Sequence, residues 1–142
     1  MTVSQTLKQV LADSYALYLK TQNYHWNVTG PNFTSLHALF ETQYTDLATA
    51  IDLIAERIRA LGEKAPAAFS YYSKQTVITD GHEDATAQTM ISDLINSNRL
   101  LLNSLMTARA TATESGDVAS EDLMIERIAV HEKNVWMLTV SE

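Results

Sequence analysis

Apolar residues recur along this chain at three- and four-residue steps, the spacing that gathers them on one side of an α-helix. The first such stretch, from about Ser4 to Asn27, carries Leu7, Val10/Leu11, Leu17/Tyr18, Thr21 and His25. Val28-Thr29-Gly30-Pro31-Asn32 interrupts it, because Gly and Pro punctuate helices, and Asn32 is placed to cap the next helix through its side-chain oxygen. The second stretch, about Phe33 to Leu61, carries Phe33, Leu36, Phe40, Tyr44, Leu47, Ile51, Ile54, Ile58 and Leu61, with Gly62 as its stop. The third, about Asp84 to Thr113, carries Ala87, Ile91, Leu94, Asn98, Leu101, Leu105 and Ala108. Glu114-Ser115-Gly116-Asp117 then turns the chain into a fourth, about Val118 to Val140, with Met124, Ile128, His131, Val135 and Leu138.

Glu63 to Glu83 contains Pro66, Tyr71-Tyr72 and Asp80-Gly81, and is too long for a simple bundle turn. It predicts a crossover connection with a short helix near Ala67 to Lys74. Only four glycines and two prolines occur in 142 residues, which favours helix over sheet. The expected fold class is therefore all-α: a four-helix bundle with a long crossover between its second and third helices, forming one domain over residues 1–142. No internal repeat or low-complexity tract is visible.

Cysteine is absent, which excludes disulfides, thiolate metal sites and a cysteine nucleophile and leaves oxygen and imidazole ligands. The formal charge of -7 disfavours nonspecific attraction to DNA phosphates and favours cations as guests. Lys8 is the only basic side chain before Lys20, and the chain ends at Ser141-Glu142, so neither end forms a cationic arm. The N-terminus lacks the pattern of a signal peptide, and no stretch approaches the roughly 18 apolar residues of a membrane span. A soluble cytoplasmic protein with no membrane partner is expected.

Projected at 100° per residue, the second helix places His37, Glu41, Asp52 and Glu56 together in a sector roughly 120° from its apolar stripe. Exposed polar residues on an amphipathic helix would account for this, yet one histidine and three carboxylates also form the nitrogen and oxygen mixture that suits iron and similar divalent ions. A second histidine, His25, brackets the same tight turn, beside Tyr24 and Trp26. Fifteen residues separate His37 from Asp52, roughly 22 Å along a helix axis, so one ion cannot touch both within one chain. If all these residues are ligands, Asp52 and Glu56 must meet His37 and Glu41 of a second copy, with two antiparallel helices crossing near Asp46-Leu47. A two-fold dimer with two equivalent sites is implied.

The chain resembles the Dps family, the ferritin-like miniferritins first known as DNA-binding proteins from starved cells. The resemblance rests on Tyr24-His25-Trp26-Asn27-Val28-Thr29-Gly30-Pro31, on Phe33-Thr34-Ser35-Leu36-His37-Ala38-Leu39-Phe40-Glu41 and on Ile51-Asp52-Leu53-Ile54-Ala55-Glu56-Arg57. It continues through Glu126-Arg127, His131-Glu132-Lys133 and Trp136-Met137-Leu138, and so covers essentially the whole chain. It implies that His25, His37 and a carboxylate at 41 bind iron with Asp52 and Glu56 of the two-fold partner. Glu41 stands where characterised members often have Asp, one methylene shorter. A dodecameric homo-oligomer, hydrogen peroxide as oxidant, a ferric mineral in the cavity and protection against oxidative damage are also implied. Trp26 resembles the family's tryptophan near the site, a sink for stray oxidising equivalents, although a packing aromatic would read the same.

Asp117, Glu121, Asp122 and Glu126 crowd the start of the fourth helix, where interaction with the helix dipole suffices to explain them. The position of Asp122 relative to Trp136 resembles the family's acidic lining of three-fold pores. The expected function is thus that of a ferroxidase, an oxidoreductase acting on ferrous iron and storing the ferric product. Two alternatives are a DNA-compacting shell protein with weak or no ferroxidase activity, for which no lysine-rich tail is present, and a scaffold shell that has lost oxidation, against which five intact ligand positions argue.

Overall fold

The computed structural model describes residues 1–142 as five helices and no strands: α1 (Val3–Asn27), α2 (Phe33–Ala60), α3 (Phe69–Gln75), α4 (Ala87–Ser115) and α5 (Val118–Thr139). Short turns make α1/α2 and α4/α5 two hairpins, which pack on each other chiefly through α1 and α4. Leu7, Val10 and Leu11 of α1 meet Phe40, Leu47, Ile54 and Ile58 of α2 and Leu94, Leu101 and Leu105 of α4 in one buried core. The crossover carries α3, Phe69–Gln75, where the length of the segment leads one to expect a short helix near Ala67 to Lys74.

Two local expectations are corrected. Asn32 makes no side-chain capping bond to α2. Its backbone carbonyl instead accepts the Leu36 amide at 3.0 Å and the Ser35 hydroxyl at 3.0 Å. The third long helix starts at Ala87 rather than near Asp84, because the Thr86 hydroxyl accepts the Thr89 amide and fixes the boundary there. At its other end Gly116 adopts φ +71°, a left-handed stop that frees Asp117 to cap α5.

Buried charges tie the crossover to the bundle. Asp13 is fully buried and accepts the Thr76 hydroxyl at 2.7 Å, the Val77 amide at 2.9 Å and the Ser104 hydroxyl at 2.6 Å. Lys20, also buried, pairs with Asp93 at 3.1 Å and donates to Ser97 at 3.0 Å. Gly81 passes close by: a Cβ added there would lie 3.1 Å from both Lys20 Cγ and the Tyr24 ring. Asp93 in turn accepts the Tyr24 hydroxyl at 2.6 Å, and burial together with that bond pushes the phenol up to about 12.

A second polar chain crosses the α2/α4/α5 side. Arg127 pairs with Asp46 at 2.8 Å and donates to His131 Nε2 at 3.0 Å. His131 Nδ1 therefore carries the ring proton and donates to Asn98 Oδ1 at 2.8 Å. Burial and the neighbouring Arg127 charge push His131 down to about 3, against an ordinary value of 6.5. Between those two values the unfolded chain binds a proton that the folded chain refuses, so His131 supports the fold fully above 6.5 and progressively less as pH falls toward 3. His131→Gln, which can still accept from Arg127 and donate to Asn98, should flatten the fall in thermal midpoint between neutral pH and pH 4. An unchanged acid slope in that variant would assign acid sensitivity to other groups.

Candidate metal centre

The turn after α1 bends back through Gly30, at φ +112°, and sets the last turn of α1 against the first turns of α2. His25 and His37 thereby stack, with ring centroids 3.8 Å apart and planes 13° from parallel. Each ring reaches the other residue's backbone: His25 Nδ1 lies 2.7 Å from His37 O, and His37 Nδ1 lies 2.7 Å from His25 O. A carbonyl oxygen only accepts, so both Nδ1 atoms carry a proton, and Nε2 is the ring nitrogen left to each histidine for a metal. Holding one ring nitrogen to a carbonyl while the other faces a metal is the usual orientation of histidine ligands.

Aromatic rings complete the setting. Phe33 stacks on His37 at 5.0 Å and Tyr44 lies against His25 at 5.2 Å. Phe33, counted in the apolar stripe by its spacing, is 40% exposed and serves this ring rather than the core. His25 is buried, 6% exposed, and His37 half-buried, so the pair sits at the edge of the bundle.

Glu41 lies one turn beyond His37 on the same side of α2 and is exposed. Asp52 and Glu56 are exposed farther along the helix, and none of the three side chains has an ion-pair or hydrogen-bond partner within the chain. Nowhere in the chain do three or more ligating side chains come together. The structure brings His25 and His37 together with Glu41 nearby, and leaves Asp52 and Glu56 apart from them. Asp52 instead borders a groove of about 320 Å³ lined by Tyr15, Tyr18, Ala48, Ile51 and Ala55.

Trp26 is 63% exposed and borders a different groove, with Lys20, Asp80 and Gly81. Among the acidic residues of early α5, two have partners. Asp117 caps the helix, accepting the Ser120 amide at 3.0 Å, and pairs with Arg57 at 2.8 Å. Burial alone would raise the Asp117 carboxyl, but Ser120 and Arg57 together outweigh it and hold the group below the usual carboxylate range. Glu121 accepts the Thr113 hydroxyl and pairs with Arg109 at 3.4 Å. Asp122 and Glu126 are exposed and unpaired.

Sequence reasoning missed the reciprocal histidine bonds and the Tyr44 contact. Only the placement of Tyr44 seven residues after His37, two helical turns on, hinted at the latter.

A family model described as the ferritin-like domain matches residues 4–140. The chain is 36% identical over 136 residues to a DNA protection during starvation protein of Brevibacillus brevis, covering 96% of this chain and 91% of that one. Among solved structures, a Dps protein from Bacillus brevis superposes with a TM-score of 0.93 at 36% identity, over 97% of this chain and 93% of its own. A Dps protein from Vibrio cholerae O1, described as a member of a broad superfamily of ferritin-like diiron-carboxylate proteins, gives 0.93 at 35% identity, over 97% and 87%.

Proposed function

Because the chain belongs to the ferritin-like family, and within it to the Dps proteins, we propose that it oxidises ferrous iron at a site shared between two copies and stores the ferric product inside a closed shell. His25, His37 and Glu41 of one copy hold the iron, and Asp52 and Glu56 of the other close the site. The observation that carries this reading is the reciprocal histidine pair, whose Nδ1 atoms are both tied to backbone carbonyls while no carboxylate of the same chain gathers with the pair into a ligand set. The unpartnered Asp52 and Glu56 supply what is missing once two α2 helices cross antiparallel, and the two-fold operator then makes two equivalent sites.

Neutral imidazole and carboxylate suit ferrous iron, and carboxylate oxygen stabilises the harder ferric product. With hydrogen peroxide the balance is two ferrous ions and one peroxide giving two ferric ions and two hydroxides. Such a reaction removes peroxide and ferrous iron together, which protects against oxidative damage. Residues 1–142 act as one domain, twelve copies form the shell, and the cytoplasm is its place of work. The test is to titrate ferrous protein with peroxide while following particle mass by light scattering. Two ferrous ions consumed per peroxide by a shell-sized particle is expected; a monomer, or iron oxidised no faster than in buffer, overturns the reading.

Asp122 supplies the entry path in this scheme, since exposed acidic groups repeated about a symmetry axis concentrate cations in a narrow channel. Asp122→Asn keeps the shape and removes the charge. It should slow oxidation at low ferrous concentration and low ionic strength, recover as ferrous iron is raised, and leave particle mass unchanged. Wild-type initial rates at low iron would make Asp122 a helix-start residue only.

A further inference from the structure

A row of aromatic rings leaves the histidine pair and runs along the α1/α2 face. From His25 it passes to Tyr44 at 5.2 Å, from Tyr44 to Tyr18 at 5.8 Å and from Tyr18 to Tyr15 at 5.8 Å. Each step lies within the range of aromatic rings in contact. Tyr15 and Tyr18 border the same groove as Asp52, so the row leads from the histidine pair to the groove that holds a carboxylate of the other half-site. Packing alone asks for rings but not for phenols: Tyr44 and Tyr15 make no hydrogen bond through their hydroxyls, and Tyr18 receives only a 3.4 Å contact from Gln22.

We infer that Tyr44, Tyr18 and Tyr15 relay oxidising equivalents between the two shared centres of a dimer, so that a centre holding a single ferrous ion can still reduce peroxide completely. This rests on the iron-oxidising reading above. A lone ferrous ion supplies one of the two electrons peroxide needs, and a tyrosine supplies the other. One ferrous ion, one tyrosine and one peroxide give one ferric ion, one tyrosyl radical, one hydroxide and one water, the phenolic proton going to the cleaved peroxide. A second ferrous ion, arriving at either end of the row, then reduces the radical: with one water it gives a ferric ion, the restored phenol and hydroxide. The two steps sum to the reaction of a filled centre and release no hydroxyl radical. Contact between successive rings favours short hops over one long transfer, because electronic overlap falls steeply with separation.

The experiment loads the assembled wild-type protein with less than one ferrous ion per centre, adds hydrogen peroxide and freezes the mixture within milliseconds for electron paramagnetic resonance. The expected result is a radical whose hyperfine pattern changes when tyrosine, and not tryptophan, is ring-deuterated. Tyr44→Phe removes the first redox-active ring while leaving no hydrogen-bond partner behind, and Tyr18→Phe interrupts the row one step later. Each should lose the radical beyond the break and show increased spin-trapped hydroxyl radical, with the shell intact. Iron oxidation in wild type without a tyrosyl radical, a radical on tryptophan, or a signal unchanged in both variants overturns the relay and leaves the iron-oxidising reading standing. Absence of iron oxidation in wild type overturns that reading, and the relay with it.

Discussion

Replacing His37 or Asp52 with alanine will remove most ferrous oxidation while leaving the helices intact. Asp52 is exposed and makes no bond within its own chain, and His37 is half-buried at the bundle edge, so neither substitution opens a core cavity. The loss should reach at least about tenfold, the lower end of what removal of even a supporting partner costs a metal site. Loss of His37 should also free the His25 carbonyl and unstack His25, so its effect should exceed that of Asp52. Circular dichroism and initial rates measured on the same preparations check both parts. Wild-type rates in either variant would remove that residue from the site.

Lys20→Met should produce the largest loss of stability. The Lys20 side chain is 1% exposed and bridges α1 to Asp93 and Ser97 of α4 and, at 3.4 Å, to Thr79 of the crossover. Removing one partner of a buried pair leaves the other charge uncompensated and costs about 3–5 kcal/mol. Asp93 is 27% exposed and keeps its bond from the Tyr24 hydroxyl, which places the expected cost at about 3 kcal/mol, the lower end of that range. Adding Asp93→Asn removes the stranded charge and should recover part of the loss, so the two changes should be less than additive. Chemical denaturation of the four-member cycle measures this coupling; strict additivity would show that the pair contributes nothing of its own.

The helices were legible because three- and four-residue spacing survives any detail of packing, and Gly62 and Gly116 both stand at positive φ where the pattern asked for stops. The separation of His37 from Asp52 was equally legible, since helical rise alone fixes it. What periodicity could not reveal was the charge inside the apolar sectors. Asp13, Lys20 and Arg127 are buried because crossover residues or neighbouring helices bring their partners from 63, 73 and 81 positions away along the chain. The Asn32 cap failed for a related reason: local rules propose a bond, but here the backbone of the tight turn meets the first turn of α2 without the side chain. The histidine pair lies between these cases. Its two members could be picked out from residue type and from the turn they bracket, whereas their reciprocal bonds depend on how closely two backbones approach.

The central claim is that one centre takes its histidines from one copy and Asp52 from another. Shells built from hybrid dimers, each with one His37→Ala chain and one Asp52→Ala chain, test it most directly. In such a dimer one centre collects both defects and the other is wholly wild type, so ferrous oxidation should return to about half the wild-type level, far above either parent variant. If hybrids verified by native mass spectrometry recover no activity, His37 and Asp52 do not serve one shared centre.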